Sequence, residues 1–182
     1  MSSKSVQIIG GEDREHAWVD SKHNALVTVD EIHAVIHKGG LYTASAVALV
    51  IGGATAEFLV RVNSGAAHMR FLGTVAHQML ADLYESPTTT ADGIAIPCKN
   101  RNRFTGGLCT TEIFAGPTVT ADGDVLMNFF IPGGDKQTAS GGQGSSFEEW
   151  ILSPGDYLVR ISNTIISPAS DGYAGMAFDF YE

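Results

Sequence analysis

The sequence predicts an all-β protein: an antiparallel β-sandwich, jelly-roll-like, with an extended N-terminal arm. Three observations predict this fold: roughly eight to ten short apolar or alternating segments, turn signals about every 8 to 12 residues, and no convincing long amphipathic helix. The 182 residues, 44% hydrophobic and 17% charged, suffice for one domain with a sizeable core. We therefore expect an arm over residues 1–35 and a sandwich domain over residues 36–182.

The arm is predicted because residues 1–35 mix charges, histidines and short apolar stretches without sustained periodicity. Strands are predicted from LYTASAVALVI (41–51), TAEFLVRV (55–62) and HMRFLG (68–73), since each is bounded by Gly, Ser or Asn. AHQMLADLYE (76–85) has partly helical spacing, but it ends at a Ser-Pro pair among strand signals. We predict a strand there too.

An internal repeat marks the middle of the chain. LYESPTTTADGIAI (83–96) and IFAGPTVTADGDVL (113–126) share Pro, Thr, Thr, Ala, Asp and Gly at matched positions. Each copy reads as an apolar strand end, a proline that stops pairing, a threonine-rich corner and an Asp-Gly turn. The repeat predicts two similar connections between neighbouring strands of one sheet system.

The C-terminal part holds a glycine- and serine-rich stretch over residues 133–146, predicted as a mobile loop. Apolar residues then alternate on both sides of Pro154-Gly155, from Trp150 to Ile161, which predicts a hairpin. Alternation over residues 176–181 predicts a closing strand with one face in the core.

The charge of the chain is negative and unevenly placed. The formal net charge is −9; residues 1–104 hold 9 basic and 10 acidic side chains, and residues 105–182 hold 2 and 10. This balance argues against a nucleic-acid partner, because binding to phosphate backbones depends on clustered cations. No apolar run is long enough for a membrane span, and the first residues lack a secretory core, so we expect a soluble, unexported protein without a membrane partner.

Catalytic, cofactor-binding and metal-ligating patterns are weak throughout. His33 and His37 have the i, i+4 spacing of a zinc helix, but no third ligand is evident. Asp122 and Asp124 flank a glycine as in a calcium loop, but an Asp-Gly turn is the simpler interpretation. No nucleophile elbow, phosphate-binding loop or facing carboxylate pair is found. We expect no catalytic, cofactor or metal site and no enzyme.

The segment CKNRNRFTGGLC, residues 98–109 and here called the basic loop, concentrates positive charge between two cysteines. A hairpin would bring Cys98 and Cys109 opposite each other; two reduced thiols are the favoured interpretation and a disulfide the alternative. The cations invite contact with an acidic protein surface, including the C-terminal half of a neighbouring copy. Self-assembly is thus the functional interpretation of the charge asymmetry.

These segments as a set resemble a group of tailed-bacteriophage virion proteins found among capsid decoration, cement and head-fibre components. The resemblance lies in LYESPTTTADG, KNRNR, IFAGPTVTADG, EEWILSPGDYLVRISN and the closing FDFYE, and it covers about residues 30 to 182. Lys99 and Phe104 depart from the tyrosine-like and serine-like flanks of the usual Asn-Arg run, and Ser86 departs from a glycine before the proline.

The resemblance implies a non-enzymatic β-sandwich that is made in the host cytoplasm and binds the major capsid protein on the outer surface of the capsid, with a homotrimer as the expected assembly. Phe129 and Phe130, adjacent on a strand, are expected to place one ring in the core and one at an interface. The alternative function is a receptor- or carbohydrate-binding module on a phage head or tail fibre. The candidate interface residues are Lys99, Asn100, Arg101, Asn102, Arg103, Phe129 and Phe130.

Overall fold

The structure is a computed structural model that describes residues 18–20, 25–27, 31–104, 107–131, 145–146, 149–165 and 172–182. Strands dominate these residues, and the one described helix is short. In chain order the elements are β1 (Trp18–Asp20), β2 (Ala25–Val27), α1 (Glu31–Lys38), β3 (Leu41–Val50), β4 (Thr55–Val62), β5 (Ala67–Val75), β6 (Met79–Glu85), β7 (Thr88–Ala91), β8 (Ile94–Ile96), β9 (Lys99–Asn100), β10 (Glu112–Ala115), β11 (Thr118–Ala121), β12 (Asp124–Ile131), β13 (Ser145–Ser146), β14 (Trp150–Leu152), β15 (Gly155–Ser162) and β16 (Gly172–Tyr181).

Two antiparallel sheets form the body of the molecule. Sheet 1 has six strands in the order β12-β6-β15-β4-β10-β8. Sheet 2 has the order β13-β5-β16-β3-β9, and β14 also pairs with β5. Long strands that follow one another along the chain alternate between the sheets, as β3, β4, β5 and β6 do. The prediction of an all-β fold with packed antiparallel sheets is confirmed.

The core lies between the sheets and is built by period-2 alternation. Sheet 1 contributes the inward side chains of β4 and β15, and sheet 2 contributes those of β16. The rings of Phe58 in sheet 1 and Phe178 in sheet 2 meet edge to face with centroids 5.8 Å apart. Both side chains are fully buried, and each contributes roughly 1.5–3 kcal/mol by leaving water.

The strand predicted over residues 76–85 is present as β6, which begins at Met79. Pro87, two residues after the end of β6, and the burial of Met79, Ala81 and Leu83 at alternate positions outweigh the partly helical spacing. The predicted boundary between the extended arm and the sandwich, placed after residue 35, falls inside α1. Residues 31–35 are therefore helical and not extended. Short-range alternation of His and apolar residues fits a helical turn as well as an arm.

The two copies of the internal repeat pair with each other, strand for strand. β6 pairs with β12, β7 with β11, and β8 with β10, all antiparallel. The threonine-rich corners are therefore themselves strands that form a two-stranded ribbon, β7–β11, outside both sheets. The two connections are similar and belong to one sheet system, as predicted, but the prediction that they join neighbouring strands is wrong. Three other strands of sheet 1 separate β6 from β8, and three separate β10 from β12, because the neighbour of each strand comes from the other copy.

A second repeat lies at the centre of sheet 1. EFLVR (57–61) on β4 and DYLVR (156–160) on β15 are adjacent and antiparallel, with Leu59 opposite Leu158. With β6 related to β10 and β8 to β12, sheet 1 has an approximate two-fold axis through this leucine pair. This second repeat was not predicted from the sequence, because two five-residue segments of ordinary strand composition are recognisable as related only when the structure shows them paired.

The hairpin predicted around Pro154-Gly155 is wrong. β14 pairs with β5 in sheet 2, whereas β15 pairs with β4 and β6 in sheet 1, so the turn carries the chain from one sheet to the other. Alternation reports which side chains face the core and carries no information about the partner strand. The loop predicted over residues 133–146 lies outside the described residues except for β13.

Candidate interaction surface

The basic loop begins as an edge strand of sheet 2. β9 pairs with β3 so that Lys99 lies opposite Thr43 and Asn100 opposite Tyr42. The backbone N–H of Arg101 then donates to the carbonyl of Leu41 at 2.9 Å. The first half of the loop is thereby fixed against the sandwich, which limits the entropy lost when it binds a partner.

Two asparagines fasten this loop to the end of α1. The Nδ2 of Asn100 donates to the Gly39 carbonyl at 2.6 Å, and that of Asn102 donates to the His37 carbonyl at 3.0 Å. Their Oδ1 atoms accept the backbone N–H two residues on, at 2.8 and 3.0 Å. Asn100 is buried, so this candidate interface residue serves as an anchor and does not face a partner. Asn has this local role because its amide mimics a backbone turn.

The cations of the loop point outward. Lys99, Arg101 and Arg103 are all exposed. Arg101 lies 3.4 Å from Asp179 of the same chain, so its charge is partly satisfied internally. Among the described residues no ion pair is found for Lys99 or Arg103. These two are the cations best placed to meet an acidic partner.

Two apolar side chains of the loop were not among the candidates. Phe104 is completely exposed and Leu108 almost so. Exposed large apolar groups beside cations are typical of protein interfaces, where charge steers and apolar contact holds. The sequence allowed this prediction, because a phenylalanine and a leucine inside an otherwise polar, glycine-containing loop are unlikely to reach the core.

Phe129 and Phe130 divide as the alternation predicts. Phe129 packs against the core, and Phe130 is 61% exposed. They lie on β12, which is an outer strand of sheet 1 at the end opposite to β8. β8 contacts β3 of sheet 2, and β3 pairs with β9 at one edge of that sheet, whereas β12 contacts β5 towards the other edge. The basic loop and Phe130 therefore lie at opposite ends of the sandwich. The structure therefore does not join the seven candidate residues into one surface.

A small polar groove adjoins the loop on the outer face of sheet 2. Its volume is about 40 Å³, and Arg101 forms part of its wall. Glu149 is its hub: Tyr181 donates to it at 2.7 Å, and the Nδ1 of His68 lies 2.8 Å away. These hydrogen bonds, from Tyr181 first and His68 second, lower the pKa of Glu149. The groove has room for a few water-sized groups.

The outer face of sheet 1 carries two related arginine clusters. Arg61 holds Asp92 with two hydrogen bonds of 2.8 and 2.9 Å and lies over the ring of Phe114. Arg160 holds Asp122 with two of 2.7 and 2.6 Å and lies over the ring of Tyr84. Because Asp92 and Asp122 follow β7 and β11, the clusters tie the ribbon to this face. Each fork of guanidinium and carboxylate is a strong, directional pair.

Cys98 and Cys109 are free thiols, each half-buried, at the two ends of the basic loop. Their proximity agrees with the hairpin geometry expected from the sequence. The described residues contain no group of three His, Cys, Asp or Glu side chains that could hold a metal ion. His33 and His37 lie four residues apart on α1. In the described part of the chain, no helix is long and apolar enough to cross a bilayer.

Comparison with known proteins adds no relative. No protein-family model, no curated protein and no solved structure matches this chain.

Proposed function

We propose that this chain is a structural virion protein of a tailed bacteriophage that decorates the outer capsid surface and stabilises it by bridging neighbouring capsid subunits. The resemblance of the repeat, the KNRNR run and the C-terminal strands to phage decoration proteins suggests the class. The proposed partners are the major capsid protein and other copies of the chain in a homotrimer. The proposal includes no enzymatic activity.

The basic loop is the structural feature that best supports the proposed docking role. It presents Lys99 and Arg103 on a chain of net charge −9, beside the exposed Phe104 and Leu108. The asparagine anchors hold it against the sandwich, so a partner meets a preformed surface. A rigid sandwich with such a surface suits a protein that functions through surface contacts with capsid subunits and not through a ligand pocket.

The jelly-roll-like part of the fold belongs to the same proposal. The order β3-β16-β5-β14 in sheet 2 and β4-β15-β6-β12 in sheet 1 is compatible with two interleaved Greek keys. Viral capsid and lectin domains both use this architecture, so the fold alone does not choose between a capsid role and a sugar-binding role.

Co-sedimentation with capsid shells purified without this protein tests the proposal. We expect saturable binding at an icosahedral multiple of copies per shell. The double variant Lys99→Ala/Arg103→Ala should bind at least roughly ten-fold more weakly, because both exposed cations that would meet the partner are lost. Arg70→Ala, an exposed arginine outside the loop, is the matched control and should bind nearly as well as the parent. A protein that stays in the supernatant, or binds only a few copies at one vertex, contradicts the proposal.

The second candidate is a receptor- or carbohydrate-binding module. The observation that favours it is Tyr173, 64% exposed on the outer face of sheet 2 beside Gly175 and opposite Leu49 of β3. An exposed ring on a flat strand face is suited to stacking against a sugar. Trp150 is half-buried against the core, which makes it a poorer platform.

Glycan-array binding decides between the candidates. Binding that disappears in Tyr173→Ala, together with absent co-sedimentation, favours the sugar module. Iodide quenching of a fluorescence component that is missing from Trp150→Phe would likewise show an accessible Trp150. Capsid binding that is unaffected by Tyr173→Ala favours the decoration role.

A further inference from the structure

The two cysteines meet at one point of the backbone. The Sγ of Cys109 donates to the carbonyl oxygen of Thr111 at 2.9 Å, and the Sγ of Cys98 donates to the same oxygen at 3.5 Å. Since both sulfur atoms lie within 3.5 Å of one oxygen, they are neighbours, and small rotations of the two side chains can bring them to bonding distance.

The chain around this pair holds the two cysteines in place. β8 pairs with β10 through Ile96 and Ile113, which brings the segment of Cys98 beside that of Thr111. The carboxylate of Glu182 accepts the backbone N–H groups of Thr110 and Thr111 at 3.0 and 2.6 Å. The backbone on both sides is therefore fixed by bonds that do not involve the sulfur atoms.

The loop between the cysteines is fixed in a different way at each side. Toward Cys98, the asparagine anchors and β9 hold it. Toward Cys109, the hydroxyl of Tyr42 donates to the Leu108 carbonyl at 3.3 Å, a long and weak bond. The second side thus has the weaker non-covalent restraint, and it adjoins the exposed Leu108.

We propose that Cys98 and Cys109 are a redox-active pair that forms a reversible intramolecular disulfide and closes the basic loop into a covalent ring. The oxidant is a low-molecular-weight disulfide such as oxidised glutathione. The inference concerns the thiols and does not depend on what the loop binds.

The reaction is thiol–disulfide exchange in two steps. The Cys98 thiolate attacks one sulfur of the small disulfide, whose S–S bond breaks and releases one thiolate that takes up a proton. The Cys109 thiol then loses its proton to solvent, attacks the Cys98 sulfur and releases the second small thiol. Two protein thiols lose two electrons and two protons, and one small disulfide becomes two thiols.

Cys98 is assigned the first attack because a donor stands beside its sulfur. Once Cys98 is ionised, the Cys109 thiol can turn from the Thr111 carbonyl and donate to the Cys98 sulfur, which lowers the pKa of Cys98. The same hydrogen bond, followed by burial and by the negative charges nearby, raises the pKa of Cys109. One thiol is thus prepared to attack and the other keeps its proton until the mixed disulfide has formed.

A closed ring would hold the cations and Phe104 in a narrower set of positions. In a reducing cytoplasm the pair stays as thiols, and in an oxidising medium it closes. In a virion protein, the two thiols would persist during assembly in the host cytoplasm, and the disulfide would form after release into an oxidising medium. This last point alone rests on the proposed function, and a loss of capsid binding would leave the redox result intact.

The test uses the full chain equilibrated with mixtures of reduced and oxidised glutathione, followed by alkylation and mass spectrometry. We expect a monomer lighter by two hydrogen atoms, with neither cysteine alkylated, that returns to two alkylated cysteines after dithiothreitol. Cys98→Ser and Cys109→Ser are matched controls, because each keeps one thiol and can form only a mixed disulfide with glutathione.

Stability provides a second measurement. Closing this short loop should lower the equilibrium constant of unfolding by up to roughly 100-fold, because the cross-link restricts the unfolded chain. Urea titrations with and without dithiothreitol should differ for the parent and coincide for both serine variants. The proposal is overturned if the parent keeps two alkylatable thiols in excess oxidised glutathione, stops at a mixed disulfide, or forms disulfide-linked dimers.

Discussion

Arg61 and Arg160 make the same set of contacts at two related positions of sheet 1. Each guanidinium stacks on the aromatic ring of one repeat copy and binds the aspartate of the other copy. Each also pairs with an acidic residue directly across the β4–β15 ladder: Asp156 for Arg61 and Glu57 for Arg160. Arginine is required because only its planar fork can hold a carboxylate bidentately while it lies over a ring.

Replacement of Arg160 by Met should therefore lower the free energy of unfolding by about 1–2 kcal/mol, since Glu57 and Asp122 lose their cation. The arginine side chain is only 18% exposed, but Asp122 is 43% exposed, so solvent moderates the loss. Urea titration followed by circular dichroism measures it. Arg70→Met is the control, because Arg70 is 45% exposed and makes one ion pair at 3.4 Å. Equal losses in the two variants would contradict this role for Arg160.

The carboxylate of Asp122 should make the free energy of unfolding decrease at acidic pH. Its hydrogen bonds from Arg160 lower its pKa in the folded protein. A carboxyl whose folded pKa is depressed contributes stability above its unfolded pKa and loses it as pH falls through the folded value. The loss therefore occurs below about pH 4, the ordinary range of aspartate. Asp122→Asn should be less stable than the parent at pH 7 and show a shallower decline below this range.

Urea titrations at a series of pH values from neutrality into this range test the prediction. Asp124→Asn, an exposed aspartate two positions along the chain, should keep the slope of the parent. If Asp122→Asn declines as steeply as the parent, the carboxylate of Asp122 is not the source of the acid sensitivity.

At the scale of elements, the ribbon β7–β11 depends on two glycines. Gly93 and Gly123 have φ values of 94° and 86°. A Cβ on Gly93 would collide with the carbonyl oxygen of Ala115, and one on Gly123 with that of Glu85. Each copy of the repeat thus presses its turn glycine against the strand end of the other copy. The shared Asp-Gly is explained by this close approach as well as by turn chemistry.

Gly123→Ala should cost about 3 kcal/mol or more, because the clash is with backbone and adds to the strain of positive φ. Gly116→Ser is the matched control. Gly116 has φ 66° with no atom within 4 Å of an added Cβ, and its counterpart in the other copy is Ser86 with φ 58°. This control should cost within about 1 kcal/mol. Similar thermal unfolding of the two variants would refute the close-approach explanation.

The predicted hairpin at Pro154-Gly155 shows why elements were easier to foresee than their partners. The two strands exist, but they lie in different sheets. Which strand a segment pairs with depends on contacts far along the chain, such as those of β14 with β5. Alternation is a local property and contains none of this information.

For the molecule as a whole, the charge asymmetry of the sequence is partly compensated by ion pairs within the chain. Acidic residues of the second half bind cations of the first half: Asp156 binds Arg61, Glu149 binds Arg70, and Asp179 binds Arg101. Folding thereby brings opposite charges together that are far apart in sequence. The acidic surface left for a neighbouring copy is smaller than the sequence suggests. Lys99 and Arg103, for which the described residues provide no ion pair, gain importance as contact residues.

We expect the N-terminal segment to contribute to the bridging of capsid subunits. Deletion of residues 1–30 removes β1 and β2, which form a two-stranded sheet of their own, so it should leave the β-rich circular dichroism spectrum nearly unchanged and abolish capsid binding. The fold should survive because α1 begins at Glu31 and its C-terminal end still supports the basic loop. Co-sedimentation with capsid shells measures the binding. Deletion of residues 1–40 is the comparison, since it also removes the Gly39 carbonyl that holds Asn100. Loss of folding in the shorter deletion, or unchanged binding, would contradict the prediction.

The fold class, most strand positions, the Asp-Gly turns of the repeat and the exposure of the loop cations could be predicted from the residues alone. These follow from alternation, proline and glycine chemistry, and hydration of charge, which act over a few residues. Three features could not be predicted in this way: the repeat copies pair with each other, Asn100 is an anchor, and Phe130 lies far from the basic loop. Those outcomes depend on strand pairing between distant segments, where the free energy comes from contacts that no short stretch of sequence contains.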